Sequence, residues 1–250
     1  MVHNYIVKSR QTNPLHFTLL DPGKMGPDNL VELATQTAEA GTDGFMIGGS
    51  TDLSLEKVDA AVDAIKDITH LPVILFPTHA SSVSGRADAI FFMSLLNSES
   101  RQFLVGEQIA SARWVKKTGL EPLSMAYLVV APGMAAGKVG QAQPLPRDDP
   151  NLVVSHALAG QYLGMNYIYL EAGSGASAPV PAEIVKAVRD EIEVLLIVGG
   201  GIRSPEDASV AVKAGADIIV TGTLVETSNK LKEEMSQLIE IIHSGSINGT

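Results

Sequence analysis

Eight short apolar runs, separated by longer stretches of helical period, constrain this chain more than any other feature. They are Leu15 to Leu20, Gly44 to Ile47, Pro72 to Phe76, Ala89 to Met93, Pro122 to Val130, Tyr167 to Leu170, Val194 to Val198 and Asp217 to Val220. A short apolar run flanked by turn residues suits a strand buried on both faces, and such strands belong to parallel sheets covered by helices. The intervening stretches Asp28 to Ala40, Leu55 to Ile68, Arg101 to Thr118, Pro150 to Leu163, Pro181 to Glu191 and Pro205 to Ala214 have the period of amphipathic helices, and Leu224 to His243 closes the alternation. Ser54 ahead of Leu55 and Glu56, and Ser204-Pro205-Glu206, add helix-start chemistry: a capping hydroxyl followed by a proline or an acid. The third connection, Thr78 to Asp88, is too short and polar for a crossover helix, so a loop or a single turn is expected there. Eight strands favour closure into one (β/α)₈ barrel over a doubly wound open sheet, and 250 residues without a linker-like stretch make residues 1–250 one domain.

Charge and composition remove several function classes. A formal net charge of −10 with no basic run repels a phosphate backbone, so no nucleic-acid partner is expected. The absence of cysteine excludes disulfides, thiolate zinc sites and thiol catalysis. No apolar run reaches about 18 residues and the first residues lack the apolar core of a signal peptide, so a cytoplasmic protein with at most peripheral membrane contact is expected. The six histidines show no HxH or HExxH spacing, and there is neither a nucleophile elbow nor a Walker A turn. His79 is expected at the surface or the rim, and Trp114 in helix packing.

Barrel enzymes carry their chemistry at the C-terminal ends of the strands. The seventh run leads into Gly199-Gly200-Gly201-Ile202-Arg203-Ser204-Pro205 and the eighth into Thr221-Gly222-Thr223. Glycine lets the backbone approach an anion, and helix starts supply orphan amides, so these adjacent turns form an expected phosphate cup. The sixth run ends in Tyr169-Leu170-Glu171-Ala172-Gly173-Ser174-Gly175. Strand alternation gives Tyr169 and Glu171 one orientation, while Gly173-Ser174-Gly175 can wrap as a third amide-rich turn. A carboxylate there can orient substrate hydroxyls or accept a proton; its bland alternative is a pairing with a neighbouring base. The first run ends in Asp21-Pro22-Gly23-Lys24 and the second in Gly48-Gly49-Ser50-Thr51. A carboxylate from Asp21 and a hydroxyl from Ser50 or Thr51 are the hard oxygen donors that suit magnesium bridging to a diphosphate. Each turn taken alone is better explained as a connection or a cap; their joint placement opposite the cup favours a site.

The stretches FTLLDPGK, MIGGST, FFMSLLNS, YIYLEAGSGA, VGGGIRSPEDA and VTGT occur in the order found in geranylgeranylglyceryl phosphate synthases, and the chain resembles that family over nearly its whole length. The resemblance implies transfer of a C20 geranylgeranyl group from its diphosphate to the 3-hydroxyl of sn-glycerol 1-phosphate, with magnesium. It implies Asp21 and Ser50 as metal ligands. It implies that Tyr169, Leu170, Glu171, Ala172, Gly173, Ser174, Gly175, Gly200, Gly201, Gly222 and Thr223 hold glycerol phosphate, with Glu171 and Tyr169 catalytic. A homo-oligomer, dimer or hexamer, is also implied. Some members carry a lysine three residues before the aspartate and Gly-Asn in the last turn; Thr18 and Gly222-Thr223 here resemble the family's second branch. Thr18 leaves a question of what supplies that lysine's charge.

The chemistry suits these residues. An allylic diphosphate ionises once its departing charge is stabilised, and a hydroxyl then attacks the cation with little prior activation. A C20 chain offers roughly 15 kcal/mol of gross burial at ~0.8 kcal/mol per methylene, so a groove is expected beside the third and fourth runs, around Phe76, Pro77 and residues 92–96. The glycine- and alanine-rich stretch 131–143 suits a flexible cover. Two other readings use the same cup. A phosphosugar isomerase or aldolase would want an acid/base pair or a Schiff-base lysine on a strand, and no lysine lies within any run; a non-catalytic phosphate- or FMN-binding barrel would not need Asp21.

Overall fold

The computed structural model describes residues 1–49 and 53–245. Its strands are β1 (Leu15–Leu20), β2 (Gly44–Gly48), β3 (Val73–Phe76), β4 (Ala89–Leu95), β5 (Glu121–Val129), β6 (Tyr167–Glu171), β7 (Leu195–Gly199) and β8 (Ile218–Thr221). All pair in parallel, in sequence order, and β8 returns to β1 through the register Phe17 to Val220, closing the barrel. The (β/α)₈ expectation holds, and each of the eight runs is one of its strands. The helices are α1 (Val2–Arg10), α2 (Pro27–Glu39), α3 (Leu55–Ile68), α4 (Glu107–Thr118), α5 (Met134–Val139), α6 (Pro150–Tyr162), α7 (Ala182–Glu191), α8 (Pro205–Lys213), α9 (Thr223–Thr227) and α10 (Leu231–His243).

Two apolar cores follow from strand alternation. Leu15, Phe17, Phe91, Met125, Tyr167, Tyr169 and Ile197 fill the barrel, whereas Leu20, Ile47, Leu75, Leu128, Ile168 and Val198 pack outward under the helices. Capping chemistry sets several helix starts. The Ser54 hydroxyl accepts from Lys57 N–H, and Ser204 and Asp207 form a reciprocal capping box ahead of Pro205.

Between β3 and β4 the chain makes only one 3₁₀ turn, Ala80–Ser82, as its length and polarity require. The flank that a crossover helix would cover is reached instead from α4, where the Trp114 indole N–H donates to Val83 C=O at 2.9 Å. Trp114 is thus a packing residue. Two elements were not expected. Helix α1 closes the N-terminal mouth: Val2 and Ile6 join the interior core, the amides of Val2 and His3 donate to the Glu121 carboxylate, and His3 Nδ1 meets the Tyr167 hydroxyl at 2.8 Å. A wide π turn, Gln102–Gly106, precedes α4.

The stretch 131–143 departs from the flexible cover expected of it. It contains α5 and is pinned on both sides: Gly133 N–H donates to Ala172 C=O at 3.1 Å, the Ser98 hydroxyl to Gly140 C=O at 2.6 Å, and Gln143 N–H to Asn97 C=O at 2.8 Å. Its glycines serve close approach. A Cβ on Gly140 would stand 2.3 Å from Leu95 Cδ2, and one on Gly133 2.7 Å from Val129 Cγ1.

Candidate functional site

At the C-terminal rim of the barrel the strand ends open into a cleft. Asp21, Lys24, Glu171, Ser174, Gly222 and Glu226 give its lining a polar part; Pro77, Met93, Leu95, Phe103, Ala136 and Val139 give it an apolar part, with Thr78, Glu107 and Gln108 also on the wall. Phe76 and Tyr127 also line it, their rings 5.4 Å apart, and Tyr127 hydrogen-bonds to Glu171. The π turn places Phe103 in the apolar wall, and α5 supplies Ala136 and Val139. The groove expected beside the third and fourth runs therefore has a lining of the right character.

The three glycine turns meet at the polar part. Gly175 N–H donates to Thr223 Oγ1 at 3.2 Å and Ser174 Oγ lies 3.3 Å from the same atom, tying the turn after β6 to that after β8. Arg203, after β7, donates to Gly175 C=O at 3.0 Å. Gly173, Gly175, Gly200 and Gly201 all have φ between 73° and 102°, the left-handed region that side chains resist. Space makes the same demand at Gly200, where a Cβ would sit 2.2 Å from Glu171 Oε1 and 2.6 Å from Gly173 N. Gly222 differs: its φ is −132° and a Cβ would find ordinary contacts at 3.5 Å. Nothing in the backbone requires glycine there, and its missing side chain leaves room in the cleft.

Tyr169 and Glu171 point inward together, as alternation requires, and Leu170 between them packs outward. Glu171 is only 6% exposed, and its Oε1 accepts Gly173 N–H at 2.6 Å. Burial pushes its carboxyl above the ordinary range, and hydrogen bonds from Gly173, Tyr169 and Tyr127 offset part of that. Burial and the neighbouring Glu171 charge push both tyrosine hydroxyls well above their ordinary value. Tyr127 was not singled out from the sequence. It faces Tyr169 directly in the β5–β6 register, with ring centroids 5.2 Å apart, and Phe76 stacks on Tyr169 at 5.6 Å. Gly199 allows this, since its Cβ would stand 2.1 Å from the Tyr169 hydroxyl.

On the opposite side Asp21 is 2% exposed; its Oδ1 accepts Gly23 N–H at 2.9 Å, and its Oδ2 lies 3.8 Å from Lys24 Nζ. Gly49 clears space for it, because a Cβ there would stand 2.1 Å from Oδ2. Ser50, the second expected metal ligand, lies outside the described residues. Thr18 faces away from the barrel axis, its hydroxyl donating to Thr42 Oγ1 at 3.1 Å beneath the helices, so its side chain is not part of the rim. His79 pairs with Glu107 at 3.0 Å and is half-buried.

The family model for the PcrB family matches residues 4–242. The chain is 51% identical over 244 residues to geranylgeranylglyceryl phosphate synthase of Pyrococcus horikoshii, covering 98% of this chain and 96% of that one. It is 50% identical over 240 residues to the enzyme of the same name from Thermococcus kodakarensis, covering 96% and 95%. Among solved structures it superimposes with a TM-score of 0.92, at 44% identity and 95% and 96% coverage, on (S)-3-O-geranylgeranylglyceryl phosphate synthase from Thermoplasma acidophilum in complex with its substrate sn-glycerol-1-phosphate. The chain belongs to the PcrB family, that of the geranylgeranylglyceryl phosphate synthases.

Proposed function

We propose that this protein transfers a geranylgeranyl group from geranylgeranyl diphosphate to the 3-hydroxyl of sn-glycerol 1-phosphate. The observation that carries the reading is a cleft with a glycine-built polar part and an apolar part, whose lining includes Glu171, Tyr127 and Phe76. Half identity over nearly the whole chain to enzymes of that name supports it.

In this reading the turns at Gly173 to Gly175, Gly200 to Gly201 and Gly222 to Thr223 seat the acceptor's phosphate with backbone amides, which need no net positive charge. Glu171 holds the acceptor hydroxyl and takes its proton as the new C–O bond forms, while the allylic C–O bond breaks and diphosphate departs. A carboxyl held above its ordinary range by burial is the stronger base for that step. Tyr169 and Tyr127 fix the carboxylate's orientation and keep it ionised. The apolar wall from Phe76 to Phe103 and Val139 buries the prenyl chain and excludes water from the cation.

Magnesium belongs to the proposal. Among the described residues no group of three His, Asp or Glu side chains is arranged to hold a metal. The donor chemistry nevertheless fits an ion that keeps its waters and binds through one carboxylate plus substrate oxygens: Asp21 is a hard donor at the cleft, in the space that Gly49 leaves for it. Asp21, with Ser50 as the expected second donor, would hold it. When bound, such an ion stabilises the charge on departing diphosphate. Among the described residues no helix is long and apolar enough to cross a membrane; action in the cytoplasm, with peripheral contact to reach the donor, and a dimeric or hexameric assembly complete the proposal.

Incubation with labelled geranylgeranyl diphosphate, glycerol 1-phosphate and magnesium tests it. Ether product from the wild type, lost in Asp21→Ala and Glu171→Gln, is the expected result. No product from the wild type under any of these conditions rejects it.

A further inference from the structure

The cleft has a charge problem. Among the described residues that line it there are four carboxylates, Asp21, Glu107, Glu171 and Glu226, and one cation, Lys24. A diphosphate entering such a site meets more like charge than countercharge, and the chain's net charge of −10 offers no compensating background. Lys24 Nζ lies 3.1 Å from Glu226 Oε1 and 3.8 Å from Asp21 Oδ2, so it already belongs to the polar part, bridging the turn after β1 to α9. Its side chain is 35% exposed and that of Glu226 23%. An ion pair this open to water holds its partners together by less than about fivefold, so an anion of higher charge displaces Glu226 readily.

We propose that Lys24 is the residue that receives the donor's diphosphate, and that Glu226 is its resting partner, exchanged for that diphosphate when the donor binds. This deepens the transferase reading and rests on it. Lys24 acts here by holding and orienting the leaving group, with Glu226 occupying it in the donor's absence.

The pair gives mutations of opposite sign. Inorganic pyrophosphate is the probe, its affinity measured by calorimetry with and without magnesium, alongside steady-state kinetics. Lys24→Gln is expected to weaken pyrophosphate by about tenfold or more and to raise KM for the prenyl diphosphate, with KM for glycerol 1-phosphate unchanged within about twofold. Lys24→Arg keeps the charge and restores most of the affinity. Glu226→Gln, which frees Lys24 and removes a like charge, is expected to tighten pyrophosphate by about threefold, and less so in the Lys24→Gln background. A merely structural ion pair would lower the melting temperature equally in both variants and leave pyrophosphate affinity unmoved. Unchanged affinity in Lys24→Gln, or weakening in Glu226→Gln, overturns the proposal while wild-type turnover leaves the transferase reading standing; a wild type that makes no product rejects that reading instead.

Discussion

Gly200→Ala tests whether the rim is built as tightly as the site requires. The native φ of +78° costs a residue with a Cβ about 1–2 kcal/mol. The added methyl also meets Glu171 Oε1 at 2.2 Å, Gly173 N at 2.6 Å and Ala172 N at 2.9 Å. Two of these are backbone atoms, and the third is held by Gly173 N–H at 2.6 Å, so none retreats freely. Overpacking of that kind costs about 1–3 kcal/mol. The two terms sum to about 2–5 kcal/mol, which at ~2–4 °C per kcal/mol for a chain of this size lowers Tm by about 4–20 °C. Two other glycines separate the causes. Gly164 has φ +86° and nothing within 4 Å of a Cβ, so Gly164→Ala carries the backbone cost alone, with unchanged kinetics. Gly222→Ala carries neither cost, and is expected to stay within about 0.5 kcal/mol of wild type while raising KM for glycerol 1-phosphate. Thermal unfolding and acceptor-dependent kinetics on all three variants provide the assay. If Gly200→Ala melts with Gly164→Ala and keeps its acceptor KM, Gly200 is not wedged against Glu171 and the argument fails.

Three further outcomes follow from the buried ionisable groups. Because burial holds the Glu171 carboxyl above its ordinary 4.5, its contribution to stability is full below that pH and is lost as pH rises through the folded value; Glu171→Gln is expected to melt higher than wild type at neutral pH while kcat falls roughly hundredfold or more, and an equal or lower Tm contradicts this. Tyr127→Phe removes a hydrogen bond that lowers the Glu171 value, so the acidic limb of the kcat profile should move to higher pH, with little change at alkaline pH; a fixed limb denies Tyr127 its positioning role. Burial drives His16 from 6.5 down to about 3, its ring bridging Thr42 Oγ1 and Thr221 Oγ1 at 2.9 Å each. The unfolded chain protonates first, so stability falls as pH drops through 6.5 towards 3, and His16→Gln should flatten that fall in Tm.

The strands were legible because a parallel barrel buries both faces of each one, leaving unbroken apolar runs at regular intervals. The missing crossover was legible as a length too short for a helix. The pairing of Tyr169 with Glu171 followed from alternation alone. Tyr127 was hidden because its role depends on facing Tyr169 across the β5–β6 register, and a register is a relation between strands that neither strand's sequence states. Helix α1 was hidden for a related reason: its anchor, Glu121, is more than a hundred residues away in the chain. Stretch 131–143 misled through composition. Gly133 and Gly140 signal flexibility in a sequence, but here they serve contact with Val129 and Leu95. The Lys24 to Glu226 pair joins residues near opposite ends of the chain, a juxtaposition that only closure of β8 onto β1 creates.

That closure also bears on how so acidic a chain would bind the two anions of the proposed reaction at one rim. Net charge sets the field at a distance, where salt screens it within about 10 Å, but binding is decided by groups in contact. The acceptor's phosphate can be met by peptide dipoles that carry no net charge, provided the backbone bends back on itself, and four positive-φ glycines supply the bends. The donor's leaving group would gain charge during the proposed reaction, and a countercharge such as Lys24 meets it more strongly than peptide dipoles alone. In that reading the glycines after β6, β7 and β8 and the charged pair linking β1 to α9 divide the work by chemistry. In the proposed reaction Glu171, buried at the end of β6 and accepting from Gly173 N–H, is the group assigned to the acceptor's hydroxyl.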